Sequence, residues 1–389
     1  MNNIFGNQPV SGDDFFGRND FIKHIKGILL EKNSFLLLGL RRTGKSSALR
    51  EVVRQIKIEN SEIVVIELNC QTYESIQDFY KNIYLALPKT WKDTMREALK
   101  ETKRIPTKLI DFITDHIQEV DLPYVGSVKL RNDAISYSNP IKEELTGFFK
   151  KEASHIILII DELPFLFENI AQKENAATKL EIEMILSTLR SWRDIGISEA
   201  ICGSLNLHLQ LENLGISRKI LGGVNTQNLP KFTINEAKGL LDKLSQSDHI
   251  IFTETQKDKI IELVPDCIPQ FLQAFYFSLK THWQGETEEI KVIFDKYVYP
   301  VIVQDFEYQF NERFAKLPPE HLPLAKNILE KIEQYPNISE ADLIKSIEDA
   351  HVYGVLLLLS NQEFIVMNEH QCYDFSFLIV RNWWKKKNN

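Results

Sequence analysis

The chain has 389 residues, 43% of them apolar and 26% charged, and a formal charge of −8. That is the balance of a globular protein with room for two or three domains, and it supplies no general attraction to nucleic acid. Cys70, Cys202, Cys267 and Cys372 are too scattered for a C-x-x-C site or a disulfide frame, and no apolar run approaches the ~20 residues of a membrane span.

In chain order, Met1–Gly6 carries no basic cap with an apolar core, so a cytoplasmic protein is expected. Phe15-Phe16-Gly17-Arg18 is extended and leads into a helix with apolar positions at Phe21, Ile22, Ile25, Ile28 and Leu29. The apolar run Phe35–Leu38 then reads as a buried strand that ends in Gly39-Leu40-Arg41-Arg42-Thr43-Gly44-Lys45-Ser46-Ser47. This is the spacing G-x-x-x-x-G-K-[ST] between a strand and a helix. Glycines let the backbone wrap a phosphate with its N–H groups inward, at the positive end of the next helix. Lys45 can reach β- and γ-phosphates, and the Ser46 hydroxyl can ligate Mg²⁺. The bland alternative is a tight strand-to-helix turn without a ligand.

Ile63–Leu68 is a second strand, and residues 74–120 are mostly helical with breaks at Pro88 and Pro106. Residues 121–137 are turn and short-strand material, either a hairpin or an ordered loop. His155–Ile160 is a third strand ending in Asp161-Glu162. Alone this could be a buried strand running into an acidic turn; behind a phosphate loop the pair suits Mg²⁺ (Asp161) and the attacking water (Glu162). A helix over 178–193 precedes the strand Ile197–Gly203. Ser204 at its end either senses a γ-phosphate or is an ordinary turn serine. Gly215–Lys219 is an exposed basic turn.

From Asn228-Leu229-Pro230 onward the pattern turns helical. Thr233 and Glu236 mark a capped start, helices follow to about 316 with a break near Pro300, and Pro318-Pro319 marks a boundary. The last part reads as three helices (Leu324–Gln334, from Ser339, Tyr353–Ser360) and a strand pair around Asn368–Cys372, the order of a winged helix. Seven lysines and arginines face ten aspartates and glutamates from residue 319 onward, which favours protein contact or lid packing over DNA.

On these residues the chain resembles prokaryotic ATPases of the STAND and AAA+ groups, in particular archaeal-type ATPases related to origin-recognition ATPases. Gly17-Arg18 resembles the family's Gly-Arg box. Gly39 to Ser47, with its paired Arg41-Arg42 ahead of Gly44-Lys45-Ser46, resembles its phosphate loop. Asp161-Glu162 and Gly203-Ser204 resemble its acidic pair and its Gly-Ser after the fourth strand. Arg218 falls where AAA+ proteins often carry an arginine finger, with Lys219 and Arg193 as alternatives. The lid motif, usually Gly-x-Pro, reads Cys267-Ile268-Pro269 here, and no arginine stands in that segment.

The resemblance implies an α/β fold, an ASCE-type phosphate-loop NTPase with a parallel sheet core, a helical lid and a C-terminal winged helix. The divisions fall at 1–230, 231–318 and 319–389. Expected ligands are ATP or ADP with Mg²⁺, held by Gly17, Arg18, Gly39, Arg42, Thr43, Gly44, Lys45, Ser46, Ser47 and Pro269, with Ser46 and Asp161 on the metal. Lys45, Glu162, Ser204 and Arg218 would act in hydrolysis. The leading reading is an ATP-binding switch with slow Mg²⁺-dependent hydrolysis, acting through a homo-oligomer or a protein partner and not at a membrane. The alternative is a DNA-associated ATPase of replication, mobile-element or defence type.

Overall fold

The computed structural model describes residues 8–101, 103–114, 136–152, 155–173, 177–204, 207–246, 248 and 250–388. Most of the 121–137 stretch lies outside these residues. Five strands, β1 (Ser34–Leu38), β2 (Val64–Asn69), β3 (Ile156–Asp161), β4 (Ser198–Gly203) and β5 (Val224–Gln227), form one sheet in the order β2-β3-β4-β1-β5. Every pairing is parallel, with Leu37 opposite Cys202 and Asn69 opposite Asp161.

The near-continuous apolar strands are explained by helices on both faces of the sheet. Phe35, Leu37, Ile157 and Ile159 pack against α1 (Asn19–Leu30) and α2 (Lys45–Glu59). The alternate residues Leu36, Leu158, Ile160 and Ile201 pack on the other face, against α3 (Ile76–Ala86), α4 (Lys89–Glu101), α5 (Thr107–Thr114), α6 (Ser138–Glu152), α7 (Leu163–Ala171) and α8 (Thr178–Arg193). The four cysteines are free.

The fifth strand is absent from the sequence reading. Val-Asn-Thr-Gln is four residues long, three of them polar, and only partly buried, because it pairs on one side alone, with β1.

After α9 (Leu207–Asn213) and β5, the lid consists of α10 (Ile234–Gln246), α11 (Glu254–Leu263), α12 (Pro269–His282), α13 (Glu289–Ile293) and α14 (Tyr299–Ala315). Thr233 and Glu236 form the expected reciprocal cap of α10, with Glu236 N–H on Thr233 Oγ1 at 3.1 Å and Thr233 N–H on Glu236 Oε2 at 2.9 Å. The break near Pro300 takes the form of a π-helical turn over Phe294–Val298. Proline has no N–H to donate back along the helix, so the bonding pattern widens ahead of it.

The C-terminal module runs α15 (Leu322–Gln334), β6 (Ile338–Ser339), α16 (Glu340–Ile347), α17 (Val352–Asn361), β7 (Ile365–Met367), β8 (Cys372–Phe375) and α18 (Leu378–Asn388), with an antiparallel sheet in the order β6-β8-β7. The two-residue β6 and the closing α18 were not expected from sequence. One hydrophobic cluster runs through lid and module alike. Phe306 meets Phe310 at 5.9 Å, Phe310 meets Phe364 at 6.0 Å, and Phe364 stacks on Trp383 at 5.5 Å between ring centroids. Pro318-Pro319 thus separates chain elements without separating cores. Among the described residues no helix is long and apolar enough to cross a membrane.

Candidate functional site

The loop between β1 and α2 is built on backbone that side chains resist. Gly39 has φ 156°, Arg42 φ 71° and Gly44 φ 101°. Glycine suits Gly44 for its torsion, and a Cβ there would stand 2.8 Å from Arg18 Nη1 and displace that guanidinium. Lys45 is 5% exposed and folds back on the loop, its Nζ donating to Gly39 O at 2.9 Å and Leu40 O at 2.6 Å. Thr43 Oγ1 donates to Leu40 O at 3.0 Å.

The acid pair stands at the end of β3. Asp161 Oδ1 is buried with no hydrogen-bond partner among the described residues. A buried carboxylate oxygen without a donor invites a cation. A serine hydroxyl and one carboxylate are the sparse oxygen set that Mg²⁺ takes from protein while keeping waters and phosphate oxygens as its other ligands; Ser46 lines the cavity beside the loop, and Asp161 is not among its lining residues. Among the described residues no group of three or more His, Cys, Asp or Glu forms a closed metal cage. Cys70 and Cys202 are buried, and burial first, then the nearby Asp161 charge, raises both thiols well above their ordinary value.

Glu162 adopts φ 58°, and its Oε2 accepts Ser204 N–H at 3.0 Å and Ser204 Oγ–H at 3.1 Å. Arg41 Nε in turn donates to Ser204 Oγ at 3.2 Å, while its guanidinium lies 4.6 Å from the Phe165 ring centroid. Ser204 therefore orients Glu162 and is itself oriented by Arg41.

Arg18, also left-handed at φ 59°, closes the loop from above. Its Nη1 donates to Thr43 O and its Nε to Pro230 O, each at 2.8 Å, and its N–H donates to Glu236 Oε1 at 2.5 Å. Burial lowers its guanidinium to about 10, against the upward pull of Glu236, so it stays charged at neutral pH. Glu236 thus serves the α10 cap with one oxygen and Arg18 with the other.

These elements enclose a cavity of about 340 Å³ between the phosphate loop, the segment before α1 and the start of α12. The volume is that of a small-molecule site. Arg18, Arg42, Gly44, Lys45, Ser46, Ser47, Glu162 and Pro269, eight of the residues singled out by sequence, line it. Gly39 and Thr43 border a second void of about 20 Å³ behind it, together with Arg18. Gly17 lies under Phe232 and Glu236, where a Cβ would be 3.1 Å from both.

Three placements differ in kind from the rest. The Ser47 hydroxyl is occupied by Val10 N–H at 3.2 Å, leaving its backbone for any phosphate contact. Arg42 pairs with Asp305. Arg218 does not line the cavity; it sits in a 3₁₀ turn, 2.5 Å from the exposed Glu212. Of its alternatives, Arg193 is consumed in a buried pair with Glu199 at 2.5 Å, whose carboxyl burial pushes up to about 7. Sequence reading passed over Asp305, Gln309 and Arg313. Their only signal is a four-residue spacing, which does not set them apart from the other polar residues of the same helix, Gln304, Glu307, Asn311 and Glu312.

No protein-family model matches the sequence, and no curated protein matches it. Solved structures do. The Walker-type ATPase of Pyrococcus abyssi superposes with a TM-score of 0.61 at 16% identity, over 97% of this chain and 98% of that one. The ORC2 protein of Aeropyrum pernix in its ADP form gives 0.52 at 12% identity, over 98% and 97%. The same protein in ADPNP-ADP complexes gives 0.50 at 12% identity, over 98% and 96%. The likeness is one of fold: a phosphate-loop ATPase fold over nearly the whole chain.

Proposed function

We propose that this protein is an ATP-binding switch that hydrolyses ATP slowly with Mg²⁺ and acts through assembly or a protein partner. The observation that carries the reading is one cavity onto which the glycine-rich loop, Glu162 and the lid residue Pro269 all open. The Aeropyrum protein with the similar fold is described in ADP and ADPNP-ADP forms, which supports an adenine nucleotide as ligand.

Ser46 and Asp161 would hold Mg²⁺, which supplies charge neutralisation for the β- and γ-phosphates. Lys45 would leave the Gly39 and Leu40 carbonyls for the phosphates, so binding and loop conformation are linked. Glu162 would accept a proton from the attacking water while Ser204 keeps its carboxylate aimed. Pro269 begins the lid helix on the cavity wall, so a bound nucleotide would touch loop and lid together. At a hundred times its Kd for one state, a nucleotide biases that state by ~2.7 kcal/mol, enough to reset a lid.

Arg218 would complete the site of a neighbouring subunit. Its pairing with Glu212 is exposed, and such pairs are worth only ~0–1 kcal/mol, so exchanging it for a phosphate is inexpensive. A trans arginine is worth about 10³–10⁵ in rate, which makes an isolated monomer slow. The C-terminal module is read as a winged helix that contacts protein. Its lysine tail is exposed but engaged within the chain, with Lys386 2.9 Å from Glu307 and Lys387 over the Phe314 and Trp383 rings, which reduces the charge it offers to nucleic acid.

The test is the ATPase rate per subunit against protein concentration, with and without DNA. A rate that rises with concentration is expected. Lys45→Ala should lose nucleotide binding, and Glu162→Gln should bind and not turn over. A Lys45→Ala protein that binds ATP like wild type refutes the assignment.

A further inference from the structure

Helix α14 joins the lid to the C-terminal module, and one of its faces lies along the phosphate loop. Asp305 pairs with Arg42, Gln309 Oε1 accepts the Arg41 N–H at 3.0 Å, and Arg313 Nη2 donates to Gly39 O at 3.3 Å and Ser204 O at 2.6 Å. Their spacing of four residues keeps all three on one stripe. The other edge of the Arg313 fork points into the module. Nη1 donates to Gln362 O at 2.9 Å and stands 3.4 Å from Glu363 Oε2, in the turn between α17 and β7. Glu363 also covers the loop directly, since a Cβ on Gly39 would be 3.0 Å from its Oε1.

Arg313 is 6% exposed, so water cannot satisfy its five donors and the protein must. A planar fork can bond carbonyls on two sides at once; a lysine ammonium cannot hold the same geometry. Gly39 O is the shared element, because Lys45 Nζ also donates to it at 2.9 Å. When Lys45 turns to a phosphate, Arg313 is left as the side-chain donor on that carbonyl.

The geometry points to Arg313 as a positioning residue that ties the bend of the phosphate loop to the Gln362–Glu363 turn. Release of Lys45 changes how Gly39 O is shared, and the C-terminal module feels the change through one guanidinium. The link to Lys45 release rests on the nucleotide reading above; the mechanical tie between loop and turn does not.

The experiment reads amide exchange at Gly39–Gly44 in the full chain without nucleotide, where the Gly39 N–H is bonded to Gly203 O at 3.3 Å. Glu363→Ala, Arg313→Gln and the double variant are compared with wild type. Each single change is expected to speed loop exchange by about threefold or more, and the double to be no faster than Arg313→Gln alone, as for two residues acting through one contact. Unchanged loop exchange in Glu363→Ala, or effects that multiply in the double, would overturn the proposal. If Arg313→Gln does not fold, Arg313→Lys replaces it and is expected to speed exchange likewise; wild-type protection there overturns the proposal. Mg-ATP is then added. Wild type should change protection at 360–367, and a folded Arg313 variant should bind ATP without that change; a change of wild-type size refutes the tie. If wild type binds no ATP, the nucleotide reading falls while the nucleotide-free comparison still decides the tie.

Discussion

Replacing Arg18 by alanine removes the side chain that joins the phosphate loop to the start of the lid. Two charged hydrogen bonds go, to Thr43 O and Pro230 O at 2.8 Å each, with a guanidinium 4.8 Å from the Phe232 ring centroid. Bonds from a charged donor are worth about 1.5–3 kcal/mol each, and the ring contact adds about 0.5–2 kcal/mol. Part of this is returned, because the buried ion no longer has to be kept out of water, the same desolvation that lowers its pKa. A net loss of about 2–3 kcal/mol in stability is expected. The share that reaches the nucleotide is the bond on Thr43 O, about 1.4 kcal/mol, or tenfold in Kd. Titration with a fluorescent ATP analogue and a urea melt measure the two. Arg18→Lys should recover part of each, since one ammonium can serve one of the carbonyls. A folded Arg18→Ala protein whose Kd stays within about twofold of wild type would refute the clasp.

Gly44→Ala forces a side chain onto φ 101° and against Arg18 Nη1, and should abolish ATP binding; wild-type affinity would contradict the loop geometry. Asp266 accepts the N–H groups of Leu378 and Ile379 at 3.0 and 3.2 Å, capping α18 from the lid. Asp266→Ala should remove about 1–2 kcal/mol locally and speed exchange in the first turn of α18, with Asp266→Asn milder; equal exchange in all three proteins would argue against the cap. The Arg54 guanidinium, then the Gln55 amide and the Gly12 N–H, hold Glu51 at about 2 against the opposing effect of burial. A carboxyl held below its ordinary value stabilises the fold fully above about pH 4.5, and that contribution is lost as pH falls toward 2. Glu51→Gln should therefore lower the urea midpoint at pH 7, with the gap to wild type narrowing below about pH 4.5 and closing only as the pH approaches 2, whereas a constant gap would exclude this origin.

The parts of the site that could be read in advance are those whose residues are neighbours in the chain. Phe35 to Ser47 prescribes strand, bend and helix within thirteen residues, and His155 to Glu162 prescribes a buried strand with acids at its end. The β5 strand was missed because one valine followed by three polar residues at a sheet edge carries almost no apolar signal. The stripe Asp305, Gln309, Arg313 was missed because four-residue spacing marks any exposed helix face.

Sequence alone determined which elements form and what chemistry sits at their ends, because propensity, glycine torsion and apolar period act over a few residues. Only the tertiary structure decided that β3 lies two strands from β1, that Asp266 caps a helix 112 residues away, and that Arg313 reaches a carbonyl 274 residues before it. Those pairings come from the packing of whole faces, in which many weak apolar contacts select one arrangement. A polar side chain carries no mark of its distant partner until that arrangement brings them together.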